Sequence, residues 1–556
     1  MIKPMPVGVS DFKKVRERYY FVDKSDFIRQ FIDNHKDVTL FTRPRRFGKT
    51  LLMSMLEYFF SMHKKDVSAS LFAGLAIETA GSHYMAERGR YPVVFMTLKN
   101  FYSSSWESMY KSMQLMMQQT YGRFAYILES EELLGYEKEY IQRILTCQAE
   151  LEEYQQSLQL LLQILYKVHH EYPVLLIDEY DAPLQQAYSH GFYDQAIAFW
   201  RSWFNGSLKD NEYLKFAVLT GVQRIARESI FSGLNNLDVY TILDEKYSDA
   251  FGFTTQEVEM MAQYTGYENK LFEIKQWYDG YRFGTNEIYN PWSVLKYLDN
   301  LGKPAAYWMN TSDNKILKDL LHHSNDLQVQ NLNGLLQQQP VIAVVQDGMM
   351  YEQIFHNQNA LYTMLLTTGY LTVADSLDGA DNRYLLRIPN EEIKRVYCSE
   401  ILDHLLQKSN RDSFDTLFSS LISGNGEQFE RQLQRILLQF VSLYDTANKE
   451  SFYHGFMLGM TALFLNSSYQ VESNRESGYG RFDVALIPRD SKYAGVIMEF
   501  KVAQNTEGLN EKAQEAVQQI EDKNYIAVLE KQQVKRIWKY GIAFCGKQVK
   551  VMQGRK

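Results

Sequence analysis

The hydrophobic residues of the N-terminal half fall into short apolar runs separated by amphipathic stretches. Four runs have the length of buried strands: residues 38–42, 92–97, 173–181 and 215–222. From Thr50 onward, apolar residues recur at helical spacing, and residues 106–170 also keep a helical period. Strands that alternate with helices predict an α/β fold, with a mostly parallel, doubly wound sheet covered by helices.

The pattern changes after about residue 250. Short helices are predicted over 252–267 and 290–300, followed by a helix and hairpin over 360–390 that suggests a small winged-helix-like module. Further helices are predicted over 391–407 and 412–446. A second α/β unit is expected from about residue 450, and its elements are a helix at 450–465, strands at 481–488 and 493–502, a helix at 513–525 and a strand at 537–545.

Length and composition limit the classes of protein to consider. The 556 residues predict roughly three to four domains. The hydrophobic fraction of 45% and the charged fraction of 23% exclude wholesale disorder. The net charge of −8 excludes a uniformly basic nucleic-acid binder but leaves room for a local basic face.

Two further features bear on the compartment. Cys147, Cys398 and Cys545 are far apart, so neither a zinc knuckle nor a disulfide scaffold is indicated. The N-terminus lacks an apolar segment of signal-peptide type, and no apolar stretch has the length of about 20 residues that crosses a bilayer. We therefore expect a cytoplasmic protein with no membrane partner.

The turn between the first strand and its helix has the spacing of a phosphate-binding loop, GxxxxGK[ST]. Its eight positions are Arg43, Pro44, Arg45, Arg46, Phe47, Gly48, Lys49 and Thr50. Gly48 lets the backbone approach a phosphate at a helix N-terminus, Lys49 can reach the β- and γ-phosphates, and Thr50 can ligate Mg²⁺. Arg43 replaces the first glycine, and for this octet alone a solvated basic turn is an equal alternative.

A second strand supplies the acidic half of the same kind of site. The apolar run Val174–Ile177 ends in Asp178, which can hold Mg²⁺, and Glu179, which can polarise an attacking water. Both halves occur in the right order on the right elements, so the sequence predicts ATP binding. The strand that ends at Thr220 is followed by Gln223, Arg224 and Arg227. A polar residue here can sense the γ-phosphate, and Arg224 or Arg227 can neutralise its charge, with ordinary surface arginines as the alternative.

A different constellation lies near the C-terminus. Glu499 and Lys501 lie two apart in an apolar strand and therefore share a face, and the turn 488–493 is expected to bring Asp483 alongside Glu499. Two carboxylates can hold Mg²⁺, which polarises a scissile phosphate, while the lysine positions water or stabilises charge. Asp483 and Glu499 are thus predicted metal ligands. The alternative is a strand pair that carries ordinary surface charges.

Two weaker signals accompany this constellation. His454 is expected to be a buried, hydrogen-bonded histidine, with phosphate binding or proton transfer as the alternative. Residues 523–556 contain nine basic residues and one acidic residue, next to the acidic pair, where a phosphate backbone would dock. A solvated basic terminus is the competing interpretation.

Four runs resemble bacterial and archaeal AAA-ATPase-like proteins that carry a C-terminal PD-(D/E)XK nuclease-superfamily domain. They are VGVSDFKKVRERYYFVDKSDFI, LFTRPRRFGKTLLMSML, LLIDEYDAPL and LTGVQRIARESIFSGLNNL. The resemblance covers nearly the whole chain, and Arg43 in the loop is the family's own version. It implies that Tyr20, Asp23 and Lys24 lie near the nucleotide and that residues 278–284 and 290–295 belong to a helical lid.

By the same resemblance, Glu450 and Gln519 join Asp483, Glu499 and Lys501 in a nuclease-like site, and the run at 472–483 is a family hallmark. The implied domains are an ATPase domain at 1–250, a helical lid at 251–335, a winged-helix-like module at 336–410, a helical connector at 411–449 and a nuclease-like domain at 450–556.

The two constellations together lead to a functional hypothesis. The protein is expected to bind and hydrolyse ATP and to couple it to Mg²⁺-dependent cleavage of nucleic acid, with DNA favoured and RNA left open. The kind of protein it resembles suggests a role in defence against foreign DNA or in mobile-element maintenance. The alternative is an ATP-dependent switch or scaffold whose nuclease-like domain binds without cleaving. A homo-oligomer is left open.

Overall fold

A computed structural model provides the architecture of the chain. It describes residues 3–99, 101–224, 230–231, 234–308, 335, 339–346, 348, 357–378, 381–397, 411–440, 450–461, 469–477 and 480–554. The fold is of the mixed α/β class predicted from the sequence, with a parallel N-terminal sheet and a mixed C-terminal sheet.

Five parallel strands form the N-terminal sheet in the order β2-β3-β4-β1-β5. They are β1 (Val38–Thr42), β2 (Val93–Thr97), β3 (Val174–Asp178), β4 (Phe216–Gly221) and β5 (Leu237–Tyr240). Every residue of β1, β3 and β4 is buried, as expected for strands covered on both faces. Four of these strands match the predicted apolar runs, and β5 was not predicted.

Helices surround this sheet. The α-helices are Phe12–Arg18, Asp26–Asn34, Lys49–Phe60, Lys65–Phe72, Ala76–Ala80, Ser82–Met85, Trp106–Gly122, Gly135–Leu145, Leu151–His169, Ala182–His190 and Tyr193–Leu208. Short 3₁₀ turns cover Met62–Lys64 and Ala125–Glu129. The predicted helical stretch 106–170 is therefore divided into three α-helices, with the turn Ala125–Glu129 between the first two.

The next segment mixes helices with a small antiparallel sheet. Its helices are Thr255–Thr265, Leu271–Tyr278 and Pro291–Asp299, with a 3₁₀ turn at Glu268–Lys270. Its strands are β6 (Phe253–Thr254), β7 (Tyr281–Phe283) and β8 (Asn286–Tyr289). Part of the run expected in a helical lid is thus a β-hairpin, because Gly280 and Gly284 have positive φ and turn the chain at either end of β7.

The predicted helix and hairpin that follow are observed. They are the helix Gln358–Thr368 and the strands β10 (Thr372–Asp378) and β11 (Arg383–Arg387), joined by β9 (Val341–Val344) into a three-stranded sheet. Residues 391–397 are helical, and the rest of the helix predicted to reach 407 lies outside the described residues.

The C-terminal sheet has five strands in the order β12-β13-β14-β15-β16. They are β12 (Tyr469–Ser477), β13 (Gly480–Pro488), β14 (Gly495–Val502), β15 (Ile537–Cys545) and β16 (Gln548–Gln553). Only the β14–β15 pair is parallel, because the helix Leu509–Asp522 crosses over between these strands. The other helices are Arg411–Ser423, Gly426–Phe440, Glu450–Thr461 and Ala527–Glu530.

Both faces of this sheet are covered. Helices 411–423, 426–440 and 450–461 contribute to one apolar cluster that includes Met498 and Phe500 of β14. On the other face, Ile497 packs with Ile520 of the crossover helix. Glu499 alternates with Met498 and Phe500 along the strand, so it lies on the same face as Ile497.

The chain forms two compact units. One comprises Met1–Trp308 and Ile342–Asn390, and the other comprises Met309–Val341 and Glu391–Lys556. None of the helices in the described ranges has both the length and the apolar character needed to span a membrane.

Candidate functional site

The loop between β1 and the helix Lys49–Phe60 encloses the ammonium group of Lys49. Gly48 precedes the helix with φ 88°, and an added Cβ there would meet nothing within 4 Å, so the loop leaves open space at this point. The side chain of Lys49 folds back into the loop, where Nζ donates to the carbonyl oxygens of Arg43 and Pro44, each at 2.9 Å. Burial lowers the pKa of Lys49, while the nearby acids Glu179 and Asp178 oppose this shift.

Arg43 has a structural position that the loop pattern did not reveal. Its buried guanidinium donates to the carbonyl oxygens of Thr42 and Tyr240 at 2.9 Å and of Tyr247 at 3.2 Å, and lies over the ring of Phe251 at 4.9 Å. The side chain therefore anchors the start of the loop to the end of β5 and to the segment that follows it. Arg43 contacts the ammonium group of Lys49 through its backbone carbonyl oxygen.

The rest of the loop is held by neighbouring elements of the same unit. Phe47 packs against Tyr281 and Phe283 of β7, with ring centroids 5.0 and 5.2 Å apart, and its carbonyl accepts from Gly252 N at 3.1 Å. Other contacts involve the remaining positions: Pro44 lies beside Gly369, Arg45 donates to Gln185 Oε1 at 3.2 Å, and Arg46 stacks over Trp292 at 4.1 Å.

The carboxylate of Asp178, at the end of β3, is held by two hydroxyl groups. Thr50 Oγ1 donates to Oδ2 at 2.8 Å, and Thr220 Oγ1, at the end of β4, donates to Oδ1 at 2.5 Å. The three side chains come together because β1, β3 and β4 are parallel, so their carboxyl ends meet at one edge of the sheet. This brings together three of the predicted site residues.

Glu179 follows directly and adopts φ 55°, a left-handed conformation that costs free energy for a non-glycine residue. Burial raises the pKa of its carboxyl group, Lys49 opposes this shift, and Asp178 adds to it. A carboxyl group with a raised pKa beside a buried lysine at the edge of the sheet has the character of a proton acceptor. Arg224 lies three residues beyond β4, and Arg227 falls outside the described residues.

Sequence reasoning missed Tyr180 and Asp181, the two residues after Glu179. Asp181 is buried, and its Oδ2 accepts from the backbone N–H groups of Val222 and Gln223 at 3.0 and 2.9 Å. The second aspartate of the run Asp178–Asp181 was the available signal. The hydrogen-bond partners of Asp181 are backbone N–H groups, and backbone groups cannot be recognised from the residue types in a sequence.

The three residues placed near the nucleotide by resemblance make structural contacts. Lys24 Nζ donates to Asp249 O at 2.6 Å and pairs with Glu257 at 2.7 Å, next to the segment whose Gly252 contacts the loop. Other interactions hold Asp23, whose carboxylate accepts from Ser25 N and Ala76 N at 2.8 Å, and Tyr20, whose ring lies 4.4 Å from that of Tyr264.

In the other unit, the antiparallel pair β13–β14 brings Asp483 to the predicted acidic strand. The register Val484↔Met498 places Asp483 at the level of Glu499, and Asp483 Oδ2 accepts from Phe500 N at 2.7 Å. The turn 489–494, one residue later than the predicted turn 488–493, joins the two strands in this pairing.

Glu499 is the centre of this group. Its side chain is buried, with Oε1 accepting from Gln519 Nε2 at 2.5 Å and lying 3.5 Å from Lys501 Nζ. Gln519 also donates to Tyr525 Oη at 3.1 Å, a partner that sequence reasoning missed. Burial, and then repulsion from Asp483, raise the pKa of Glu499 to about 8, although Lys501 opposes the shift.

His454 and Glu450 share the helix Glu450–Thr461. His454 is buried, and its Nε2 lies 3.1 Å from the carbonyl oxygen of Asp483 and 3.2 Å from Ser473 Oγ. This agrees with the buried, hydrogen-bonded histidine expected from the sequence. Its Nδ1 has no hydrogen-bond partner among the described residues. Glu450 is the first residue of the helix.

Both sites offer oxygen donors of the kind that Mg²⁺ prefers. Glu499 Oε2 is buried and lacks a hydrogen-bond partner in the described part of the chain, so a cation beside it would satisfy an atom that is otherwise costly to bury. The same part of the chain contains no group of three or more His, Cys, Asp or Glu side chains arranged to hold a metal. The described donors therefore fit a cation held by two carboxylates and completed by water or substrate.

The basic C-terminal segment is partly neutralised by acids outside it. Lys539 Nζ lies 3.3 Å from Glu521, and Lys550 Nζ lies 3.0 Å from Glu430. Because these two lysines are paired with acids, fewer than the nine basic residues of the segment are available to bind phosphate.

Comparison with known proteins assigns a family to each of the two regions that carry these residues. Residues 6–231 match the family described as "Predicted AAA-ATPase", and residues 448–554 match the PD-(D/E)XK nuclease superfamily. The chain thus combines an AAA-ATPase-like domain with a C-terminal PD-(D/E)XK nuclease-superfamily domain. A protein of Azotobacter chroococcum mcd 1, named "Uncharacterized protein in vnfD 5'region", is 27% identical over 542 residues, which cover 94% of this chain and 93% of the relative.

Proposed function

We propose that the N-terminal domain binds ATP with Mg²⁺ and hydrolyses it. The support is the contact of Thr50 and Thr220 with the carboxylate of Asp178, beside an ammonium group enclosed by a glycine-containing loop. In this proposal, Lys49 leaves its two carbonyl acceptors to bind phosphate, because a phosphate oxygen is the stronger acceptor. Thr50 and Asp178 would hold Mg²⁺, which neutralises phosphate charge, and Glu179 accepts the proton of the attacking water.

We further propose that the C-terminal domain cleaves nucleic acid. The single observation that carries this proposal is the buried Oε2 of Glu499, which has no hydrogen-bond partner among the described residues and lies next to Asp483 and Lys501. Asp483 and Glu499 would hold Mg²⁺, which polarises the scissile phosphate and activates water. Lys501 stabilises the charge that develops on the phosphate, and Gln519 orients the carboxylate of Glu499 by donating to Oε1. Glu450 completes the site by analogy with the family.

Together these activities define an ATP-regulated, Mg²⁺-dependent nuclease, with DNA as the favoured substrate and a role in defence against foreign DNA or in mobile-element maintenance. The experiment that tests this proposal measures cleavage of DNA and RNA with Mg²⁺, with and without ATP. We expect Asp483→Ala to abolish cleavage, and Lys49→Ala to remove only its dependence on ATP. Nucleotide binding without cleavage under any metal would instead favour an ATP-dependent switch or scaffold.

A further inference from the structure

Two residues of the DEYD run bind the loop that follows the neighbouring strand. Asp181, only 4% exposed, accepts the backbone N–H groups of Val222 and Gln223 at Oδ2. Tyr180 donates its backbone N–H to Thr220 O at 3.0 Å and its hydroxyl to Gln223 O at 2.8 Å. The ends of β3 and β4 are thereby joined through residues that are not themselves expected to touch the nucleotide.

Gly221 makes this approach possible. An added Cβ there would lie 2.6 Å from the ring of Tyr180 and 2.8 Å from Asp181 Oδ1, closer than any side chain allows. Residues 180–181 and the end of β4 therefore pack in direct contact at Gly221.

The joined segments hold the groups that act on the γ-phosphate in the proposed reaction. Glu179, with its left-handed φ of 55°, immediately precedes Tyr180, so the strained residue is fixed by its neighbours. Gln223 is 3% exposed, and its Oε1 has no hydrogen-bond partner within the described residues. A buried amide oxygen of this kind is an acceptor left open for a donor such as water.

We propose that Tyr180 and Asp181 form a latch that positions the segment 222–224 against Glu179 for ATP hydrolysis. Asp181 is a positioning residue, because it acts through the backbone of Val222 and Gln223. This inference rests on the proposed ATPase function and adds to it the way in which the strand ends are kept in register.

The latch predicts a change in turnover more than in ATP binding. Asp181→Ala removes two charge-assisted hydrogen bonds, so we expect kcat for ATP to fall about 10- to 100-fold. KM should change less than about threefold, because the loop around Lys49 is untouched. Asp181→Asn keeps an acceptor oxygen and should restore kcat to within about threefold of the unaltered protein. Tyr180→Phe, which loses one neutral hydrogen bond, should lower kcat about 3- to 10-fold.

A matched control distinguishes positioning from general loss of stability. Glu137 is another buried acid of this unit, whose Oε2 accepts from Leu134 N at 2.7 Å and pairs with Lys167 at 2.8 Å. Glu137→Ala should lower the Tm without lowering kcat. The ratio of the Kd values for ADP and ATP provides a second readout that needs no hydrolysis, and Asp181→Ala should bring this ratio closer to one.

The outcomes separate the latch from the proposed function. Unchanged kcat and ADP-to-ATP ratio in Asp181→Ala would overturn the latch while leaving the ATPase intact. An Asp181→Asn variant as impaired as Asp181→Ala would also overturn it, because the charge rather than the acceptor would then matter. If Asp181→Ala does not fold, an unaltered kcat in Tyr180→Phe would overturn the latch instead. An unaltered protein that binds neither nucleotide would refute the proposed function and, with it, the latch.

Discussion

Thr50 Oγ1 donates to Asp178 Oδ2 at 2.8 Å across a sequence separation of 128 residues. The hydroxyl lies at the start of the helix Lys49–Phe60, which follows the loop, and the carboxylate lies at the end of β3. A Mg²⁺ ion with a bound nucleotide would draw on both oxygens, so this hydrogen bond marks where the two halves of the candidate ATP site meet.

Removal of the enclosed ammonium group should weaken ATP binding. Lys49→Ala deletes the cation that faces the phosphates, and we expect the Kd for ATP to rise about 10- to 100-fold, the scale of one charged hydrogen bond. Fluorescence titration with a labelled ATP analogue measures this effect. Lys13→Ala, which removes an exposed partner of Glu17, is the control and should leave the Kd unchanged. Equal affinities for Lys49→Ala and Lys13→Ala would contradict the assignment of the loop.

Glu179 should be needed for hydrolysis but not for binding. Glu179→Gln keeps the shape of the side chain and removes its capacity to accept a proton, so kcat should fall about 100-fold or more while the Kd for ATP stays within about threefold. Phosphate release and nucleotide titration measure the two quantities separately. A variant that hydrolyses ATP normally would exclude Glu179 as the proton acceptor.

The raised pKa of Glu499 predicts how stability depends on pH. Its folded-state pKa of about 8 lies above the ordinary value of 4.5. The folded state therefore binds the proton more tightly than the unfolded state. The stabilisation is complete below the ordinary value and is lost as the pH rises through about 8. Thermal unfolding between about pH 5 and pH 9 measures this slope.

The variant Glu499→Gln and added Mg²⁺ both test whether the carboxyl group of Glu499 causes this pH dependence. Glu499→Gln resembles the protonated form, so the fall in Tm toward high pH should become shallower. Added Mg²⁺ should raise the Tm of the unaltered protein at alkaline pH, because the cation replaces the proton, and should have little effect on Glu499→Gln. Identical pH profiles and Mg²⁺ responses in the two proteins would contradict the proposed role of Glu499.

The crossover helix that carries Gln519 depends on Gly541 of β15. An added Cβ at Gly541 would come within 2.2 Å of Ala513 O and 2.6 Å of Val517 N, so Gly541→Ala would push the helix away from the sheet. We expect a loss of about 1–3 kcal/mol in the free energy of unfolding, and weaker cleavage because Gln519 moves with the helix. Gly426→Ala, where no atom lies closer than 3.4 Å, is the control and should be close to neutral. Similar denaturation midpoints for the two variants would contradict this packing.

The strands that the sequence predicted best are those buried on both faces. Continuous apolar runs marked β1, β3 and β4, whereas β12 has polar residues at most positions and was not predicted. The hairpin formed by β7 and β8 lies in the region that the family resemblance assigned to a helical lid, and its strands are too short to show an alternating pattern that would have indicated a hairpin.

The candidate sites were predictable to the extent that side chains alone define them. The meeting of Thr50 and Asp178 followed from the rule that parallel strands end at one edge. The position of Arg43 and the latch formed by Tyr180 and Asp181 could not be predicted in this way, because their partners are mainly backbone carbonyl and N–H groups. Such partners depend on tertiary structure and have no sequence signature.

The most direct test of the proposed nuclease function is the initial rate of nucleic-acid cleavage by three purified proteins in Mg²⁺. They are the unaltered chain, Asp483→Asn and Asp490→Asn. Asp490 follows Asp483 in the same hairpin, and its exposed carboxylate pairs with Lys492 Nζ at 2.8 Å and accepts from Lys492 N at 3.1 Å. We expect cleavage by the unaltered protein and by Asp490→Asn, and a loss of about 100-fold or more in Asp483→Asn. Equal cleavage by all three proteins, or none by any of them, would contradict the proposed function.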